Sequence, residues 1–367
     1  MSDIVEEIRS EFQKGQEALQ DDDFGKVKEH ALRCLELIQQ ANGEGHELLA
    51  DANMLAGLGT FQEGNHEAAI PYFDAMIASF ADDPDEMLRA ANAFAVDYGE
   101  VGKVDAVLHW FDKVAAVFTA KKPPHSCLAV DAYTGKYMAR DSQADEQGLQ
   151  YLDQAYQAAL ADPMGFVISN RAQQLNAEYI KVGQAARALP FVDQAIAELT
   201  QAYQEGRPVP DADEDNPNDG FLGDRVRYNS YVAAMRESGS TPRPIVTLHM
   251  ERALLLLEID GKDAEALEST TIVAKAIEAE ESKKNTSGGF LKGLLGRVGL
   301  KVSVTAMGDA VAADIYMPDF YYAHGESLRR QGNTAEAKRL LNLAQKHADP
   351  DEDATLTDRI QKALAAL

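Results

Sequence analysis

The chain has 367 residues, a formal net charge of −25 and a mean hydropathy of −0.32. A surface this acidic repels the phosphates of nucleic acid and the headgroups of anionic lipid, so neither is expected as the default partner. Its two cysteines, Cys34 and Cys127, stand in no metal-ligand spacing and offer no disulfide framework, which fits a reducing compartment.

The N-terminal stretch MSDIVEEIRSEF is acidic and lacks the apolar core of a signal peptide, and no run reaches the roughly 18 apolar residues of a membrane span, so a cytoplasmic location is expected. Hydrophobic residues make up 45% of the chain, prolines number only 13, and Ala, Leu, Glu, Gln and Lys fill the long runs. These are helix formers, and the chain reads as all-α. In chain order, small or apolar register marks recur at Val27, Ala69, Val107, Gly148, Ala188 and Ala337. An apolar residue follows each of the first five marks four positions later: Ala31, Phe73, Phe111, Leu152 and Val192. Five residues before the mark stands a turn residue: Asp22, Gly64, Gly102 and Gly183, with the fourth unit lacking one. Twelve before it, in the first helix, the residues are Gly15, Gly57, Ala95, Lys136 and Asn176. Lys136 and Asn176 depart from the small type, although Gly135 adjoins Lys136. The period is about 40 residues. Small residues at these sites let two helices approach closely, and the apolar ones fill the gap to the next pair. Prolines 84, 123, 124, 163, 208 and 350 fall where turns between units belong.

The clearest unit is the last, Met317 to Pro350. Two helix-length runs flank Gln331-Gly332-Asn333, with Tyr321, Gly325 and Leu328 in the first and Ala337, Leu341 and Ala344 in the second. This pattern resembles the tetratricopeptide repeat, a helix–turn–helix unit of about 34 residues. The resemblance implies a right-handed α-solenoid of about seven to eight repeats. It also implies a protein-interaction scaffold or adaptor rather than an enzyme, with no cofactor. The expected organisation is five segments: residues 1–206 as N-terminal repeats, 207–223 as an acidic loop rich in Pro and Asp, 224–281 as degenerate helical repeats, 282–308 as a basic, apolar, glycine-rich insertion, and 309–367 as a C-terminal repeat with a capping helix. Two registers compete between 224 and 281. One pairs RVRYNSYVAAMRESG with PIVTLHMERALLLLEI. The other makes TLHMERALLLLEIDGKDAEALESTTIVAKAI a repeat, with Gly261 at the turn and Ala266 as the mark, and leaves the Val226–Glu237 helix unpaired. Leu356, Ile360, Leu364 and Leu367 are suited to covering the end of the array.

Catalytic signatures are lacking. The eight histidines form no His-Glu-x-x-His pair, and no Gly-x-Ser-x-Gly elbow occurs. Gly288 and Gly293 have phosphate-loop spacing, but Leu294 stands where a lysine belongs. Asp211, Asp213 and Asp215 open like a calcium loop, yet Asn216 replaces the turn glycine and Leu222 the bidentate glutamate.

In the resembled family, positions 2, 5, 9 and 12 of each repeat line a concave groove. Carried over by position, these are Asp51, Met54, Leu58 and Phe61, then Arg89 and Asn92, then Tyr133, Tyr137 and Arg140. Asn170 and Gln173 follow, and the last repeat supplies Asp319, Tyr322, Glu326 and Arg329. Tyr, Arg and Asn suit peptide recognition, giving rigid aromatic area and donors for carbonyls or carboxylates. The clamp that some members use for chaperone tails needs a Lys and Asn pair where this chain has Phe12 and Gln16. Ser287–Val302 is expected either to plug a gap between repeats, to pair with the acidic Asp211–Asp219 loop, or to form a second contact site, by which the protein would act as a peripheral membrane or assembly factor. There Phe290, Leu291, Leu294, Leu295, Val298 and Val302 share a helix face of about 140°. Lys292, Arg297 and Lys301 flank that face, which suits an anionic membrane surface or an acidic partner. Its glycines 293, 296 and 299 cost about 3 kcal/mol relative to alanine, so the segment is expected to order on docking.

Overall fold

The structure, a computed structural model, describes residues 3–41, 45–120, 126–140, 145–162, 164–207, 222–295, 316–350 and 353–367. Among these the regular elements are α-helices and one short 3-10 turn, with no strand. The chain divides into two compact units, Met1–Ala158 and Ala159–Leu367.

In the first unit the helices pair as consecutive helical hairpins. They are α1 (Asp3–Gln20) with α2 (Phe24–Gln40), α3 (Leu49–Gln62) with α4 (His66–Ser79), and α5 (Pro84–Glu100) with α6 (Val104–Ala120); α7 (Ser126–Ala139) packs on α6, and α8 (Glu146–Leu160) follows it, with the Tyr151 ring of α8 under Lys136 of α7. Short side chains start several of them. Asp23 accepts from the Lys26 amide at 3.2 Å and Asp83 from the Glu86 amide at 3.1 Å, each satisfying an amide that the first turn leaves unpaired. Pro84 then enters at the first turn, where its missing N–H costs nothing.

The hairpin turns explain the recurring glycine. Gly64, Gly102, Gly183, Gly261 and Gly332 all have φ between 70° and 83°. In each of the Gly64, Gly102, Gly183 and Gly332 turns, the following amide donates back five residues, as Asn333 does to Leu328 at 2.9 Å, which satisfies a carbonyl at the helix end. Asp22, at φ 55°, takes that place in the first hairpin. A Cβ added at Gly332 would meet nothing within 4 Å, so its requirement is backbone conformation alone. Gly332→Ala should therefore lower unit 2 stability by about 1 kcal/mol, read as a shifted denaturant midpoint with unchanged slope. An unshifted midpoint would contradict this account.

The small first-helix positions are points of close approach. A Cβ on Gly57 would lie 2.5 Å from the Phe73 ring, and one on Gly135 2.5 Å from the Phe111 ring. Gly57 thus meets the second helix of its own hairpin, whereas Gly135 meets α6 of the preceding one, and Lys136 stands buried beside it. The connection there is longer, from Ala139 to Glu146, whereas α3 ends at Gln62 and α4 begins at His66.

The second unit contains α9 (Phe166–Lys181) with α10 (Ala185–Glu205), α11 (Leu222–Ser238), α12 (Arg243–Leu257) with α13 (Asp263–Leu295), α14 (Met317–Arg330) with α15 (Thr334–His347), and α16 (Ala354–Ala365). Of the two registers, the one with Gly261 at the turn and a fully buried Ala266 is observed. The helix left over, α11, packs on α10. Tyr203 and Tyr228 rings lie 5.1 Å apart, and Arg236 donates to the Gln204 carbonyl at 2.8 Å and to the Glu205 carbonyl. A guanidinium there satisfies carbonyls that the end of α10 would otherwise leave open. At the other end of the unit, Leu356 and Ile360 of α16 are buried in the core with Leu341 and Ala344, while Leu367 is exposed.

Candidate functional site

On α5, Arg89 and Asn92 are exposed on the first-helix face, with Val96 one turn further. Arg89 pairs with Glu86 at 3.0 Å. Tyr133 is half-buried, and burial together with nearby Asp112 raises its pKa above the ordinary phenol value.

Three residues expected in the groove are interior instead. Phe61 stacks against His66 at 4.6 Å and Tyr98 at 4.9 Å, because it ends α3 where the next hairpin covers it. Tyr137 is fully buried. Its neighbour Lys136 is buried too, ion-paired with Asp112 and held 4.2 Å over the Tyr151 ring. Tyr322 belongs to the core shared by α12, α14 and α16. Two more are committed to intramolecular pairs. Arg140 pairs with Asp145, which caps α8 by accepting from the Gly148 amide at 2.7 Å. Arg329 donates to buried Glu326 at 2.7 Å, as does Arg330, which also reaches the Leu257 carbonyl at 3.0 Å and Asp263 at 3.1 Å. Burial alone would raise the Glu326 pKa, but the two arginines hold it below the ordinary carboxyl value.

Asn170 and Gln173 do come together with other groups, at a cavity of about 430 Å³ in the second unit. Helix α9 presents Phe166, Ser169, Asn170 and Gln173 along one face, at i, i+3, i+4 and i+7. Arg227 and Tyr231 come from α11. Arg243, Pro244, Thr247, Met250 and Glu251 come from α12, again on one face, and Tyr316 and Asp319 from the start of α14. Ser169, Pro244, Met250 and Glu251 are buried and form the floor, whereas Asn170, Gln173, Arg227 and Tyr316 are exposed at the rim.

The floor is electrostatically unusual. Glu251 is only 5% exposed, and its one hydrogen bond comes from the Asn176 amide at 3.1 Å. Burial, with Asp319 adding to it, raises its pKa to about 7 against the hydrogen bond from Asn176. Asp319 has no hydrogen bond or ion pair among the described residues. Burial and then the charge of Asp353 lift its pKa to about 6, with Arg359 opposing. Asn176, the other departure from the small-residue pattern, is thus explained: its amide meets the Glu251 carboxyl.

Glu251, Arg243 and Thr247 were not singled out from the sequence. With Ala266 as the mark, Glu251 falls at position 5 of its repeat, equivalent to Gln173, so the unsettled register alone concealed it.

The cavity offers donors, acceptors and ring faces. The Ser169 hydroxyl is engaged with the Phe166 carbonyl at 3.0 Å. Among the described residues, no group of three or more His, Cys, Asp and Glu side chains could hold a metal ion, and no helix is long and apolar enough to cross a membrane. Helix α13 carries its backbone as far as Leu295, while the side chains of Phe290, Leu291, Lys292, Leu294 and Leu295, and the whole of Arg297 and Lys301, lie outside the described residues.

No protein-family model matches the chain, and no curated protein is significantly similar to it. Solved structures that it matches include the TPR domain of P58(IPK), at 16% identity and a TM-score of 0.25 over 98% of each chain. Another is Naa15/Naa10 bound to HypK-THB, at 12% identity and a TM-score of 0.22 over 98% of this chain and 67% of that one. Similarity at this level carries nothing about activity, and the hairpin assignment rests on the turns and close approaches described above.

Proposed function

We propose that the protein is a non-catalytic interaction scaffold that binds a segment of a partner protein on the first-helix face of its second unit. The observation that carries this reading is the cavity built by α9, α11, α12 and the start of α14. There the exposed amides of Asn170 and Gln173 stand beside Phe166, Tyr231 and Tyr316. Amide side chains on one helix face can bond an extended backbone, and half-buried rings give contact area at low entropic cost. A volume of this size suits one anchoring side chain with its flanking backbone.

The test is site-specific photo-cross-linking in the native cell. A photoreactive residue at Gln173 should capture a protein segment. The same group at exposed Gln201 on α10 should not. Asn170→Ala with Gln173→Ala in the partner assay should weaken binding about tenfold or more, equivalent to roughly 1.4 kcal/mol. Equal capture at both positions, or capture at neither, would defeat the reading.

A further inference from the structure

We propose that the cavity takes a lysine or arginine side chain of the partner segment, whose cationic head pairs with the carboxyl groups of Glu251 and Asp319. This rests on the scaffold reading above and names what the scaffold recognises.

Two carboxyl groups from different helices meet at one cavity, and neither has a cationic partner. Glu251 has only the neutral Asn176 amide. Asp319 has no hydrogen bond or ion pair among the described residues, and the cation that acts on it, Arg359, is itself paired with Glu258 at 3.1 Å. A buried carboxylate without a counter-charge is costly, so the site gains from a cation brought by a ligand. Phe166, Tyr231 and Tyr316 line the approach and can pack the aliphatic stem of a long basic side chain while its head reaches the floor. At −25 the whole chain also favours encounter with a basic segment.

The lining also carries the cationic groups of Arg227 and Arg243. The groups facing the two carboxyls are Asn176 on α9, Arg227 and Tyr231 on α11, Arg243 on α12, and Tyr316. Asp353 and Arg359 lie beyond Asp319. As Glu251 and Asp319 lose their protons with rising pH, the site gains negative charge, so a basic peptide should bind more tightly at pH 8 than at pH 5.5.

The experiment is a random-peptide selection on the full chain, followed by anisotropy titrations. Selected peptides should share one lysine or arginine and should cross-link to a photoreactive group at Gln173. Replacing that residue by norleucine or citrulline should weaken binding at least tenfold. In the Glu251→Gln, Asp319→Asn variant, with far-ultraviolet circular dichroism confirming the fold, the charged and neutral peptides should bind alike. Peptides that cross-link at Gln173 without a shared basic residue would overturn this proposal and leave the scaffold reading standing. Selected peptides that never cross-link there would overturn both. Divalent calcium or zinc that protects the wild type, but not the variant, against heat and displaces the peptide would assign the carboxyls to a metal and likewise overturn the proposal.

Discussion

Phe73→Ala should destabilise the first unit by about 4 kcal/mol, in the middle of the range for deleting a buried aromatic ring. Phe73 is fully buried at the junction of two hairpins. Its ring stacks on Phe94 with centroids 3.8 Å apart and meets Tyr98 and Trp110 edge-on at 5.9 and 6.0 Å. The opposite wall is the backbone of α3 at Gly57, where a Cβ would come within 2.5 Å of the ring. That wall is a helix backbone and cannot close into the space, so the cavity term is kept almost whole. Trp110 is the only tryptophan in the chain, is fully buried, and donates to Asp74 at 3.0 Å, so its fluorescence reports this unit alone. A loss below about 1.5 kcal/mol in the tryptophan-monitored transition would mean that the cluster repacks. Gly57→Ala should also destabilise on its own, because the added methyl meets the same ring. Combined with Phe73→Leu it should cost less than the sum of the two, since the pair share one contact.

Most of the fold was legible because it is written in local rules. A glycine with positive φ ends the first helix of a hairpin, and a residue without bulk allows the second helix close. Both requirements leave a mark at a fixed distance from Ala69 and Val107, and one of the two does so before Val27 and Ala188. Where the turn departs from that geometry, the count failed. In the fourth unit, where the connection is longer, the small position is held by a buried lysine, Lys136, and Tyr137, assigned to the groove, is fully buried. Between Pro208 and Gly261 the pattern could not choose a register, because α11 is an unpaired helix that obeys no repeat. Its place is set by Arg236 and Tyr228 against α10, contacts remote in sequence. The candidate site was half legible for the same reason. Asn170 and Gln173 followed from the repeat, whereas Glu251 waited on the register. Exposure was the least legible property. Position in a repeat says which way a side chain points, not whether a neighbouring hairpin or α16 covers it, as happens to Phe61 and Tyr322.

Glu251→Gln should stabilise the ligand-free protein by about 3 kcal/mol at pH 8, and the gain should vanish near pH 4.5. The folded protein holds the Glu251 proton to about pH 7, against 4.5 for an ordinary glutamate. A carboxyl with a raised folded pKa binds its proton more tightly when folded than when unfolded. Its contribution is therefore nil below pH 4.5, becomes increasingly unfavourable from 4.5 to 7, and is complete above 7. A difference of about 2.5 pKa units corresponds to roughly 3 kcal/mol. Glutamine has nearly the same shape, keeps an oxygen for the Asn176 amide, and carries no charge to bury. Unfolding of the full chain should be followed at pH 8 and at pH 4.5 by circular dichroism, with Trp110 fluorescence as the control for the first unit. A variant no more stable than wild type at pH 8 would show that the Glu251 carboxylate is compensated inside the free protein. A basic side chain that binds the cavity should reverse the order, stabilising wild type at pH 8 and leaving the variant unmoved, because the charge that destabilises the empty site is the one that holds the cation.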